Sequence, residues 1–189
     1  MNIKIITIIA IVYLYGLFEY YMNYQQKKKL KIVSVRDKGS LRLILISITA
    51  GYLLSFSIAA TKIGRIFYWD ILFAIGLFII TIGLIIRVIS IRQLRQYFTY
   101  SVSKVESHLL IEKGFYRFIR HPGYLGQLLI FAGIAISLSN WLAIILMLLS
   151  TLVGYINRIR VEEKFMIEQM GDIYSNYQKR TKKLIPKIY

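Results

Sequence analysis

The chain contains no cysteine in its 189 residues, two prolines (Pro122 and Pro186) and two histidines (His108 and His121). Without cysteine there is no disulfide, no thiolate nucleophile and no Cys-based metal site. Two histidines are too few for a histidine-rich centre, so no metal is expected. Acidic residues are scarce too: nine stand against 25 Lys and Arg, a formal net charge of +16. A nucleic-acid binder with that charge would carry a basic face on a soluble fold. Composition argues against such a fold, since 57% of residues are hydrophobic, 18% are charged and mean hydropathy is +0.56. The charges must therefore be concentrated between apolar stretches, which is the pattern of an integral membrane protein with no nucleic-acid partner. Also missing are a P-loop, a GxGxxG fingerprint, a GxSxG elbow and histidines at metal spacing.

Apolar runs fill most of what is there. Those at about 3–24, 41–60 and 70–90 have the length of about 20 residues that crosses a bilayer as a helix. Two shorter runs, about 123–138 and 141–157, are separated by Ser139-Asn140. The first run is too long for a signal-peptide core and has no small-x-small cleavage site, so it reads as a retained helix. Trp69 and Trp141 lie where interfacial anchors belong. The expected fold is all-α: a polytopic membrane protein of about five transmembrane helices, with a C-terminal helical hairpin and an amphipathic tail. Residues 1–86 form the N-terminal transmembrane helices, and residues 87–189 the region that carries the chemistry.

Loop charge sets the orientation. Residues 25–42, 87–120 and 158–189 hold seven, seven and eight of the basic residues, leaving Lys4, Lys62 and Arg65 opposite. The positive-inside rule then puts the heavy side in the cytoplasm and the N-terminus outside. Both ends of the hairpin face the cytoplasm, although its arms are somewhat short for a full crossing. The QQKKKLK run at 25–31 reads as a topogenic loop in contact with membrane lipids. Ile159, Met166, Met170, Ile173 and Tyr177 recur at helical spacing, which predicts a surface helix bent at Gly171.

Two clusters carry chemical promise. In Arg120-His121-Pro122, proline marks the first turn of a helix, where its missing N–H costs nothing. The arginine and the positive end of the helix dipole then suit an anion, while topological punctuation by the same residues is the competing explanation. Gly123 and Gly126 permit close approach of a backbone or a ligand. Tyr116 and Tyr124 flank the cluster, either as faces for a cation or as interfacial anchors. In NRIRVEEKFM (157–166), Arg158 and Glu162 share a helix face. Glu163 falls within the apolar stripe, where an acid needs either a cationic ligand or a partner such as Arg158, Arg160 or Arg87. Glu19, near the inner end of the first run, raises the same question.

The series GFYRFIRHPGYLG (114–126) and RIRVEE (158–163) resembles the isoprenylcysteine carboxyl methyltransferase family. So do RVISIRQLRQYFTYSV (87–102), HLLIEKG (108–114) and the closing MGDIYSNYQKRTKKLIP (170–186). The resemblance implies an integral-membrane methyltransferase using S-adenosylmethionine on a lipophilic or small acceptor. It assigns the cofactor to Arg120, His121, Pro122, Tyr124, Gly126, Glu162 and Glu163. Arg158 is its match for a catalytic group that orients the substrate. Glu162 and Glu163 are catalytic candidates for removing a proton from a phenol or amine acceptor, and Tyr116 is a further candidate for substrate contact. Gln127 departs from related sterol and steroid reductases, which often carry an acid there and use a nicotinamide cofactor. A reductase and a non-enzymatic scaffold are the alternatives. The Ile- and Lys-rich composition suggests a bacterial membrane, where the acceptor need not be a prenylated protein. Nothing in the sequence sets the oligomeric state.

Overall fold

The computed structural model describes residues 2–29, 32–35, 37, 39–94, 97–100, 103–105 and 110–185. His108 and Pro186, both part of the family resemblance, lie outside the described residues, as do Leu30 and Lys31 of the basic run. Among the described residues six α-helices follow one another: α1 (Ile3–Lys29), α2 (Ser40–Ala59), α3 (Trp69–Leu94), α4 (Pro122–Ser137), α5 (Trp141–Met170) and α6 (Asp172–Arg180). Strand β1 (Ile32–Val35) pairs antiparallel with β2 (Ser103–Val105), a short strap between two connections that the sequence reading treated as loops.

Among the described residues four helices, α1, α2, α3 and α5, are long and apolar enough to cross a membrane. The molecule is a polytopic membrane protein. Large apolar side chains such as Leu53, Phe78 and Val153 project outward from them, as lipid contact allows. The fourth predicted span, α4, has 16 residues and so runs only about 24 Å. Its far end is nevertheless stitched to the α2–α3 connection. Trp141 N–H donates to the Gly64 carbonyl at 3.0 Å and Asn140 Nδ2 to the Ile63 carbonyl at 2.7 Å. Asn140 also caps α5 by accepting from Ala143 N–H at 3.1 Å. The hairpin tip therefore reaches the end of the bundle where α2 passes to α3.

Helix α4 packs along α3, and α5 along α2. The first contact relies on glycine. A Cβ on Gly83 would stand 2.6 Å from the Gly126 carbonyl oxygen, and one on Gly133 2.6 Å from that of Gly76. With no side chain at these positions the two backbones meet directly. The last span continues past residue 157 to Met170, so the predicted tail helix begins as part of α5. It breaks at Gly171, whose φ is +53°, a conformation that glycine adopts at no steric cost.

Candidate active site

The loop before α4 is held by the C-terminal segment. Arg120 N–H donates to the Lys182 carbonyl at 2.8 Å and His121 N–H to that of Lys183 at 3.0 Å. The two amides just ahead of α4 are thus occupied within the chain. The Arg120 guanidinium is occupied as well: Nε donates to Glu163 Oε1 at 2.6 Å and Nη1 to the Thr181 carbonyl at 2.5 Å. Glu163 is therefore a partnered acid. Its partners are Arg120, His121 Nε2 at 3.4 Å and Lys183 Nζ at 3.6 Å, and not Arg158, Arg160 or Arg87.

Glu162 occupies the neighbouring face of α5. It accepts from Arg158 Nε at 2.9 Å, as the four-residue spacing anticipated, and from the Tyr124 hydroxyl at 2.5 Å. His121 Nδ1 lies 3.5 Å from its other oxygen. The His121 and Tyr124 rings stack at 5.6 Å with an 11° tilt, making a flat aromatic wall beside the carboxylate. Burial alone would lower the His121 pKa, but hydrogen bonds and charge from Glu162 and Glu163 outweigh it and raise the value above the usual 6.5. Burial raises the Tyr116 and Tyr174 phenols well above their ordinary range, so neither supplies a base at neutral pH.

Arg158 is fully buried and its hydrogen bonds fan out across the fold. Nη1 binds Asp37 and Ser40 Oγ, and Nη2 donates to the Tyr100 carbonyl at 2.7 Å. Asp37 also accepts from Leu41 N–H at 3.0 Å, capping α2. One guanidinium thus links α2, α5 and the segment after α3.

A second polar cluster faces the first from α1. Glu19 accepts from Arg87 Nε and Nη2, both at 2.9 Å, and from the hydroxyls of Tyr15 and Tyr100, both at 2.6 Å. Gln127 Nε2 donates to the Tyr15 hydroxyl at 3.1 Å and to Glu19 at 3.3 Å. The sequence reading marked Glu19 as out of place but did not identify this ring of partners, whose members come from four separate segments.

Between the clusters lies a cavity of about 580 Å³, within the usual range for small-molecule sites. One end is polar, with Arg120, His121, Tyr124, Arg158 and Glu162 on its wall. The other is apolar and runs among Val12, Ile44, Ile48, Tyr52 and Phe131. Tyr116 lines the polar end too. Pro122, Gly126 and Glu163 sit behind this wall: Pro122 opens α4, Gly126 meets α3, and Glu163 clamps Arg120. Among the described residues no group of His, Asp and Glu could hold a metal ion.

A family model described as phospholipid methyltransferase matches residues 71–173, which is more than half of the chain. The chain belongs to the phospholipid methyltransferase family. Among curated proteins it is similar to the protein-S-isoprenylcysteine O-methyltransferase of Schizosaccharomyces pombe, at 30% identity over 57% of this chain and 46% of that one. A probable protein-S-isoprenylcysteine O-methyltransferase of Oryza sativa subsp. indica is 31% identical over 64% of each chain. The solved structure of the eukaryotic intramembrane Ras methyltransferase, an isoprenylcysteine carboxyl methyltransferase, superposes with a TM-score of 0.59 at 25% identity. That match covers 82% of this chain and 55% of the other. The resemblance carried by residues 114–126 and 158–163 is thereby borne out. The chain spans about half to two-thirds of the length of these curated relatives.

Proposed function

We propose that this protein methylates a carboxylate on a lipophilic acceptor, using S-adenosylmethionine, at the cytoplasmic face of a bacterial membrane. The observation that carries this reading is the continuity of the cavity. One space joins a charged aromatic wall to an apolar bore within the bundle. The polar end suits the cofactor by its donor set. Glu162 is a carboxylate for an ammonium, the Tyr124 and Tyr116 rings are faces for a sulfonium, and the stacked His121 and Tyr124 pair is a flat wall for an adenine. When bound, S-adenosylmethionine supplies a methyl on a sulfonium, so the acceptor oxygen gains the methyl, sulfur keeps the bonding pair and no proton moves.

The chain's own residues favour an anionic acceptor over an amine. Arg87, Arg120 and Arg158 all line the cavity, and the two carboxylates there, Glu19 and Glu162, are each tied to a guanidinium. Neither carboxylate is free to take a proton, whereas a protonated amine would have to lose one before it could react. A carboxylate needs only alignment and exclusion of water. Arg158 and Arg87 offset the acids beside them, so a carboxylate head is not repelled, and the apolar bore takes its tail. The concentration of Lys and Arg at the ends of the helices that flank this cavity supports the cytoplasmic assignment.

Titration of the detergent-solubilised protein with S-adenosylhomocysteine and with NADPH tests the cofactor. Binding of the first and none of the second is expected. Glu162→Gln should weaken S-adenosylhomocysteine about tenfold or more while helix content is retained. The reverse preference would establish the reductase alternative instead.

A further inference from the structure

Tyr155 is fully buried, and its hydroxyl is the one buried side-chain polar atom among the described residues that has no hydrogen-bond partner. Buried polar groups are nearly always satisfied, so a lone exception calls for an explanation. Its surroundings supply one. Tyr155 lies on the same face of α5 as Arg158 and Glu162, one turn deeper into the membrane, and lines the same cavity. Its ring centroid is 5.2 Å from that of Tyr124 and 6.4 Å from that of Phe131. Tyr124 belongs to the charged wall through Glu162, whereas Phe131 begins the apolar bore. The unpartnered donor therefore marks the level at which the cavity changes from polar to greasy.

We infer that the Tyr155 hydroxyl donates a hydrogen bond to the carboxylate of the acceptor, fixing its depth in the cavity. This rests on the methyl-transfer reading of the same site and adds a residue that neither the motifs nor the family match singles out. A lipophilic carboxylate has its head and tail joined at one point, and the cavity has one matching boundary. With one acceptor oxygen held by Tyr155, the other is left directed toward the wall formed by Tyr124, His121 and Glu162. Three neighbouring hydroxyls are already committed. Tyr15 and Tyr100 donate to Glu19, and Tyr124 to Glu162.

Tyr155→Phe removes the hydroxyl and keeps the ring. Two readouts that need no catalysis decide the matter: the thermal midpoint of the ligand-free protein in detergent, and calorimetric binding of N-acetyl-S-farnesylcysteine as a lipophilic carboxylate probe. The variant should bind the probe about tenfold more weakly or worse, since a hydrogen bond to a charged group is lost. Its ligand-free midpoint should equal or exceed the parent's, because an unsatisfied polar group has been removed. Probe affinity within twofold of the parent, a lowered midpoint, or no binding by the parent overturns the inference. Methyl transfer by the parent is measured separately. Its absence, with the binding difference intact, would sink the methyl-transfer reading and leave the Tyr155 contact standing.

Discussion

His121 sits between two carboxylates, with one ring nitrogen 3.5 Å from Glu162 and the other 3.4 Å from Glu163. Its folded pKa is raised above the ordinary 6.5, so the charged imidazole stabilises the native state. That contribution is complete below about pH 6.5, the unfolded value, and fades as pH rises through the folded value. The thermal midpoint in detergent should thus decline from pH 6 into the mildly alkaline range, and His121→Gln should flatten the decline. A parent midpoint that rises over that interval would contradict the pairing. At this scale the sequence was partly legible. It singled out Glu163 as an acid that needs a partner, and Glu162 and Arg158 as neighbours. It could not rank the available guanidiniums, because the choice of Arg120 depends on the C-terminal segment returning to hold the loop before α4. Tyr155 gave no signal at all, since a tyrosine in an apolar run looks like any core or interfacial residue.

Helix α4 is held to α3 by backbone contact, with Gly83 facing Gly126 and Gly76 facing Gly133. Gly83→Ala would place a methyl 2.6 Å from the Gly126 carbonyl oxygen and 2.9 Å from the Ile130 nitrogen. Overpacking of this kind costs about 1–3 kcal/mol, and the unfolding midpoint in detergent should fall accordingly. Gly16→Ala is the control. A Cβ there meets nothing within 4 Å, so the midpoint should hold or rise slightly. Helix positions were readable from apolar runs, and the break at Gly171 from composition. The extension of α5 to Met170 was not, because hydropathy drops near residue 157 while no Gly or Pro interrupts the helix until Gly171. Helix α1 packs on the core through Ile8 and Tyr15, and polar contacts fix it as well: Glu19 on Arg87, and Tyr15 beneath Gln127. Those residues lie in separate runs, so only the fold brings them together.

For the whole molecule, the basic loops, the hairpin and the paired motifs converge on one cavity. Hydropathy and loop charge are long-range averages, which is why the architecture could be read from the sequence while the individual contacts could not. The family description names phospholipid methylation and the curated relatives name O-methylation, so the central claim is the chemical class of the acceptor. It is tested most directly by incubating the purified protein with methyl-labelled S-adenosylmethionine and a membrane lipid extract, then treating the lipid product with mild base. The cavity charge predicts a methyl ester, from which base releases the label as volatile methanol. Label that enters lipid and survives base, as an N-methyl group would, contradicts it.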